Sequence, residues 1–211
     1  TVNMLGCHDG IPVLDLKGKL QNGELTASLL PDEEIETVIE NIISRGGIVK
    51  NLFGSDGKRI AYYQVNATFF SALGEDDQKM RLARAIQLFT PGTPQVWYLD
   101  LFAGKNNCHA IGNGDACAHK EINRTNLSLE EVEAGLERAV VQDQLRMLRL
   151  RNTSSAFNGH LEVGATHDDC HLDLTWQNGR MIARLQADLE NHGFHIMYTD
   201  PEGQEQVMRY D

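Results

Sequence analysis

Between Asp76 and Leu99 the chain runs through an amphipathic stretch, a Pro91-Gly92-Thr93-Pro94 break and a short apolar run, Gln95-Val96-Trp97-Tyr98-Leu99. A helix that stops on a tight Pro/Gly turn and hands over to a buried strand is an αβ unit. Such a unit implies a parallel sheet, because parallel neighbours need a crossover connection rather than a hairpin. In the helix predicted over 76–89, Met80, Ala83, Ile86 and Gln87 share one face, flanked by Leu82 and Leu88.

The hydrophobic period changes after Phe157. Leu172, Leu174 and Trp176 alternate, as do Met181, Ala183 and Leu185, then Phe194 and Ile196, then Val207. Asn178-Gly179, His192-Gly193 and Asp200-Pro201-Glu202-Gly203 are the turn signals between them, so this stretch is expected to be an antiparallel meander. Some 50 residues bury little core alone, so the meander is an appendage to the α/β part.

Toward the N-terminus, residues 1–7 are expected to be a short buried strand ending at His8-Asp9-Gly10. Pro31-Asp32-Glu33-Glu34 opens a helix with stripe Ile35, Val38, Ile39 and Ile42, closed by Gly46-Gly47. A loop with Gly54, Asp56 and Gly57 leads to Tyr62-Tyr63-Gln64-Val65-Asn66, and residues 66–73 are expected to be helical. Residues 100–127 form a long polar loop, of the kind more often functional than not. Ser128-Leu129-Glu130-Glu131 is a capping box for a helix predicted to run to about Arg151, with stripe Leu129, Val132, Leu136, Val140, Leu145 and Leu148.

A net charge of −11 over 211 residues argues against nucleic acid and anionic membrane as partners. No stretch approaches the roughly 20 apolar residues that cross a bilayer. Thr1 to Cys7 has neither the basic nor the apolar region of a signal peptide, and it reads as a strand entered in mid-domain, so a fragment and a cytoplasmic parent are expected. Cys7, Cys108, Cys117 and Cys170 match no disulfide framework. Cys108, His109, Cys117 and His119 lie close in sequence, yet the spacing of a zinc site is missing, and a polar loop without metal is the expectation.

Chemistry centres on His8-Asp9. The pair follows a strand and precedes a loop, which is where parallel α/β folds place their reactive groups. A carboxylate beside an imidazole can bind sugar hydroxyls and stabilise a positively charged transition state, though the same dipeptide also makes an ordinary chain reversal.

Five blocks then occur in order: His8-Asp9-Gly10-Ile11, Tyr63 through Gly74, Pro91 through Tyr98, Ala103-Gly104-Lys105-Asn106 and Ile122-Asn123-Arg124. Together they resemble the sucrose phosphorylase group within the α-amylase superfamily, from residue 1 to about 157 and more weakly beyond. The resemblance implies an α/β fold: the C-terminal part of a (β/α)8 barrel, seventh and eighth strands with an inserted subdomain, plus a small antiparallel β domain. On that map residues 1–9 are the seventh strand and catalytic turn, and 10–73 the inserted subdomain. Residues 74–156 finish the barrel, with the eighth strand at 95–99 and the last helix at 128–151, and 157–211 form the β domain.

The reaction so implied is retaining transfer of an α-glucosyl unit to phosphate, with no cofactor and with sugar and inorganic phosphate as small-molecule partners. The attacking carboxylate and the acid/base follow earlier strands in that family and are expected outside this chain. Asp9 matches the family's third acid and His8 its neighbour; both hold the glucosyl hydroxyls. Tyr63 matches a phosphate-binding tyrosine on a mobile loop, and Gln64 a residue lining the glucosyl site. Three positions depart from the pattern. Pro12 replaces a usual Gly. Ala61 replaces an Asp that faces the fructosyl acceptor. Lys120 replaces an Arg at the edge of the glucosyl site, where the two are not interchangeable. Lys58 and Arg59, just before Ala61, are either solvated charges or contacts for an anionic acceptor. The acceptor therefore stays open among fructose, fructose 6-phosphate, glycerol and glycerate. A hydrolase or transglucosidase on the same barrel, and a non-catalytic carbohydrate-binding module, are the competing readings.

Overall fold

The computed structural model describes residues 1–13, 16, 20–21, 24–25, 27–53, 59–111 and 118–211; side chains are described for all of these except 20–21, 24–25, 50–53, 59–63, 110–111 and 118–119. In chain order the elements are β1 (Val2–Asn3), β2 (Ile11–Pro12), β3 (Leu20–Gln21), β4 (Glu24–Leu25), α1 (Asp32–Ser44), β5 (Ile48–Phe53), β6 (Arg59–Asn66), α2 (Phe69–Ala72), α3 (Asp77–Phe89), β7 (Thr93–Pro94) and α4 (Tyr98–Leu101). They continue with α5 (Leu129–Leu136), α6 (Ala139–Thr153), β8 (His160–Val163), β9 (His171–Asn178), β10 (Met181–Asp188), β11 (Phe194–Thr199) and β12 (Glu205–Tyr210). Two compact units result: Thr1–Leu5 with Asp76–Gln95 and Leu129–Asp211, and Gly6–Glu75 with Val96–Ser128. Among the described residues no helix is long and apolar enough to cross a membrane.

In the first unit, β1 and β7 pair in parallel, Val2 opposite Thr93 and Asn3 opposite Pro94. The strand expected at 95–99 is therefore two residues early, and Tyr98 onward turns into helix. Pro94 explains the register. It has no N–H, and it falls between Thr93, whose N–H donates to Thr1 O at 3.0 Å, and Gln95, whose N–H donates to Asn3 O at 2.8 Å.

Helix α3 starts on Asp76, whose carboxylate accepts from the Gln78 and Lys79 amides. Its buried surface is wider than the predicted stripe: Ala83 and Ile86 are half-buried, whereas Arg84 and Ala85 are buried. The cause is packing on two sides. Leu82, Ala85, Leu88 and Phe89 join the core with Met147 and Leu150 of α6. On another side Gln87 Nε2 donates to Asn3 O (3.1 Å) and Gln95 O (2.9 Å), tying the ends of both parallel strands. Arg84, fully buried, donates from Nε to Gln144 Oε1 of α6 at 2.9 Å and also donates to Gln87 Oε1.

The long helix expected from 128 to 151 is two, broken at Arg138, whose backbone is extended (φ −73°, ψ 134°). The break resets the helical phase, so the single predicted stripe fails: Leu129 and Leu136 are exposed, and the buried residues of α6 are Val140, Val141, Gln144, Met147 and Leu150.

The five C-terminal strands form one antiparallel meander, in the order β12-β11-β10-β9-β8. Leu174, Trp176, Ala183, Leu185, Phe194 and Ile196 are buried as the alternation predicts, and their core is shared with α3 and α6. Trp176 Nε1 donates to Phe89 O at 2.8 Å. Val207 is exposed, contrary to the prediction. Ile196 pairs with Met208 and Phe194 with Tyr210, so the inward face of β12 carries Met208 and Tyr210. Strand β8 was not foreseen.

In the second unit β6 pairs antiparallel with both β2 and β5. The predicted face of α1 is buried at Ile35, Ile39 and Ile42, and it shares a core with Val13, Val65, Ala67 and Ala72; Val38 is exposed. Asn66 ends a strand instead of opening a helix. The helix begins after Thr68, whose Oγ1 accepts from the Ser71 amide at 3.2 Å. Gly54, Asp56, Gly57 and Lys58 lie outside the described residues.

Candidate active site

The candidate site is built within the second unit, around the turn between β1 and β2 that carries His8 and Asp9. Three groups far along the chain hold its backbone. Asn123, 1% exposed, closes the 3-10 turn Ala118–Asn123. Its Nδ2 donates to Cys7 O at 2.9 Å and to Asp9 O at 2.8 Å. Next to it, Arg124 Nε donates to His8 O at 2.9 Å, and its guanidinium lies 3.8 Å from Asp9 Oδ1. On the upstream side the Gly6 amide donates to Asp100 Oδ2 at 2.9 Å, and the same buried carboxylate accepts from the Phe69 amide at 3.4 Å. The Asp9 amide donates to Cys7 Sγ at 3.3 Å, which tightens the turn locally.

With the backbone held, the side chains stay open. His8 Nε2 and Asp9 Oδ2 are 3.4 Å apart, and the two side chains are 60% and 49% exposed. The His8 ring lies 6.0 Å from Trp97 at 51°, and Trp97 in turn leans on Tyr98 at 4.5 Å. Tyr98 donates its hydroxyl to Thr125 O at 2.5 Å, and burial pushes its phenol above the ordinary range.

Gln64 sits beside the same turn. Strand β2 pairs Ile11 with Val65 and Pro12 with Gln64. A Cβ on Gly10 would come 3.0 Å from Gln64 Cγ and 2.8 Å from Val65 O, so only glycine lets the turn approach β6 this closely. Gln64 is 8% exposed, and its Nε2 donates to Asn66 Oδ1 at 3.1 Å; among the described residues its Oε1 and second N–H have no further partner. Pro12 is accommodated in the β2–β6 ladder.

Lys120 is half-buried in the turn that ends at Asn123. Tyr63 and Ala61 are placed on β6 by their backbone, as is Arg59, but their side chains lie outside the described residues. The structure thus brings His8, Asp9 and Gln64 to one turn and sets Lys120 three residues from Asn123. Sequence reasoning missed Asn123, Arg124, Trp97 and Asp100 as contributors. The Ile122-Asn123-Arg124 block was a usable signal for two of them; Asp100 has none.

Of the four residues weighed for zinc, Cys108 and His109 are exposed, and Cys117 and the His119 side chain lie outside the described residues. Cys7, His8 and Asp9 place donor atoms within 4.8 Å of one another. Chemically, the turn offers a carboxylate and an imidazole to neighbouring hydroxyls and a negative charge to a developing cation.

No family model matches the chain. It is 60% identical over 211 residues, all of this chain and 39% of the relative, to a sucrose 6(F)-phosphate phosphorylase of Ilumatobacter coccineus. It is 36% identical over 204 residues, 95% of this chain and 39% of the relative, to a sucrose phosphorylase of Bifidobacterium adolescentis. The crystal structure of a sucrose 6F-phosphate phosphorylase from Thermoanaerobacter thermosaccharolyticum superposes with a TM-score of 0.84 at 34% identity, covering 99% of this chain and 40% of that one. The chain spans about two-fifths of the length of the curated relatives it matches. The expected fold class holds: the parallel β1–β7 ladder with its inserted unit is the end of a (β/α)8 barrel, followed by the antiparallel β domain. In sequence and in fold the chain matches the C-terminal portion of the sucrose phosphorylase group.

Proposed function

We propose that the whole protein is a retaining α-glucoside phosphorylase, a glycosyltransferase that moves a glucosyl unit between a sucrose-like disaccharide and phosphate to give glucose 1-phosphate. The observation that carries this reading is the turn of His8 and Asp9: backbone anchored by Asn123, Arg124 and Asp100, side chains open. Retaining transfer uses one carboxylate to attack the anomeric carbon and a second as acid, then base. Asp9 acts as the third acid. It accepts hydrogen bonds from ring hydroxyls and offsets positive charge in the oxocarbenium-like transition state, while His8 binds a neighbouring hydroxyl. Gln64 lines the glucosyl site with the polar atoms it has left, Tyr63 donates to phosphate, and Lys120 gives a single charged contact at the site edge. No cofactor enters the scheme, and the partners are a sugar and inorganic phosphate in the cytoplasm.

For the acceptor, we favour fructose 6-phosphate. Two relatives named sucrose 6(F)-phosphate phosphorylase are 60% and 36% identical to the chain. Ala61 removes the carboxylate that would face a neutral fructosyl group, and Arg59 stands two residues before it on β6. A guanidinium can hold a phosphate in a two-pronged contact.

The test is a panel of fructose, fructose 6-phosphate, glycerol and glycerate with glucose 1-phosphate as donor, run on the full-length protein. Fructose 6-phosphate should be preferred, and Arg59→Ala should weaken that preference. A clear preference for fructose that ignores the substitution removes the anionic acceptor. Asp9→Asn should lower turnover about a hundredfold with a smaller change in substrate binding. Turnover within a few-fold of wild type would remove Asp9 from the mechanism. Release of free glucose in place of glucose 1-phosphate would point to the hydrolase reading.

A further inference from the structure

The loop between β8 and β9 runs into the first residue of β9 as His167-Asp168-Asp169-Cys170-His171, five residues with side chains of metal-binding type, and the proposed glucosyl transfer uses none of them. His167 Nε2 lies 3.0 Å from Asp168 Oδ2, and His171 Nδ1 lies 2.7 Å from Asp168 Oδ1. The two imidazoles face each other with centroids 4.1 Å apart. One donor atom from each of His167, Asp168 and His171 falls within 4.8 Å of the others. Zinc–nitrogen and zinc–oxygen bonds of ~2.0–2.2 Å at tetrahedral angles put donors about 3.3 Å apart. The two observed histidine–aspartate separations, 3.0 and 2.7 Å, lie just below that value, so the three can open onto one ion by small side-chain rotations.

The surroundings support the same reading. The His171 ring is flanked on its other side by Asp188, with Nε2 and Oδ2 4.0 Å apart. A carboxylate facing the nitrogen that does not bind the ion fixes ring orientation in many metal sites. Asp188 is itself held by the Glu190 and Asn191 amides and the Asn191 side chain, at 2.8–2.9 Å. The loop backbone is tied down where the Leu189 amide donates to Cys170 O at 2.7 Å. A cleft of about 680 Å³, lined by His167, His171, Asp188 and His195 among others, opens beside the cluster and gives an ion a way in. The ordinary alternative is a carboxylate paired with two exposed histidines, an arrangement that water and salt screen strongly. That alternative does not need both imidazoles on one carboxylate with a second acid behind one of the rings.

We propose that His167, Asp168 and His171 form a surface site for a divalent transition-metal ion of the zinc class, its coordination completed by water. Three protein donors on an exposed loop make an open site that also pins this loop to the end of β10.

The experiment uses the full-length protein stripped of metal, titrated with Zn²⁺ by calorimetry and with Co²⁺ by visible absorption. One ion should bind per chain with micromolar affinity. The His167→Ala/His171→Ala double variant should weaken binding at least tenfold while its circular dichroism stays that of wild type. His195→Ala, in the same cleft but outside the trio, should bind as wild type does. Binding that survives in the double variant, that disappears with His8→Ala instead, or that is no tighter than millimolar overturns the proposal.

Discussion

Asn123 offers the sharpest test of how the active turn is held. Its amide nitrogen faces two carbonyl oxygens, Cys7 O at 2.9 Å and Asp9 O at 2.8 Å. Two acceptors on one side fix which end of the amide points there, because the amide oxygen would repel both. Asn123→Ala removes both donors. A buried acceptor left without its donor costs about 1–3 kcal/mol. Cys7 and Asp9 are half-buried, so water can reach part of what is exposed, and about 2 kcal/mol in total is the expected loss.

Asn123→Asp keeps the volume but sets a carboxylate oxygen against those carbonyls at a site 1% exposed. An uncompensated buried charge costs about 3–5 kcal/mol, so aspartate should be worse than alanine although it is the closer shape. Thermal unfolding followed by circular dichroism reads the difference, at about 2–4 °C per kcal/mol for a domain of this size. Turnover should fall in the same order. Aspartate as stable as alanine, or either within about 0.5 kcal/mol of wild type, would refute the reasoning that this amide clamps the turn.

Gly10→Ala would push a Cβ to within 2.8 Å of Val65 O and 2.9 Å of Asn66 Oδ1, so a loss of about 1–3 kcal/mol in urea denaturation is expected, with impaired turnover as Gln64 shifts. Trp176→Ala empties a site in the shared core and orphans Phe89 O; a loss of about 3–5 kcal/mol should appear as a lower denaturation midpoint. Gln87→Leu is nearly isosteric yet strips the donors from Asn3 O and Gln95 O and an acceptor from Arg84. A loss of about 2–4 kcal/mol, measured the same way, is expected.

What was legible in the sequence was whatever repeats locally. Helix α3 and the hairpins of the β domain carry a cap, a period and Gly-containing turns within a dozen residues of one another, and they formed where predicted. Two of the misreadings come from a phase or register that the chain resets. Arg138 restarts the helix, so Leu129 and Leu136 drop out of a stripe that looked continuous. The register that pairs Ile196 with Met208 turns Val207 outward. Strands β5 and β6 escaped notice because register shifts at Lys50/Asn51 and Leu52/Phe53 break their alternation. In the site, His8 and Asp9 announced themselves as a turn after a strand. Their supports did not, because Asn123 reaches Cys7 across 116 positions and Asp100 reaches Gly6 across 94, and no local pattern encodes such a meeting.

Asp9 and Asp100 show how one residue type serves two ends in the same unit. Asp100 is 1% exposed and accepts from the Gly6 amide at 2.9 Å and more weakly from the Phe69 amide, so it positions backbone and is closed off from solvent. Asp9 is 49% exposed, and among the described residues the His8 ring and the Arg124 guanidinium stand at 3.4 Å and 3.8 Å from it, longer than a good hydrogen bond, so most of its acceptor capacity is open to a ligand. In the proposed mechanism, a group that binds a ring hydroxyl and faces a developing cation cannot be satisfied by its own protein beforehand. It must nevertheless be held still, because reorganisation during the reaction would cancel the electrostatic gain. Anchoring the backbone through Asn123, Arg124 and Asp100 meets both demands. If Asp9 has the role proposed for it, substitutions at the supports should lower turnover while the choice of sugar stays as in wild type.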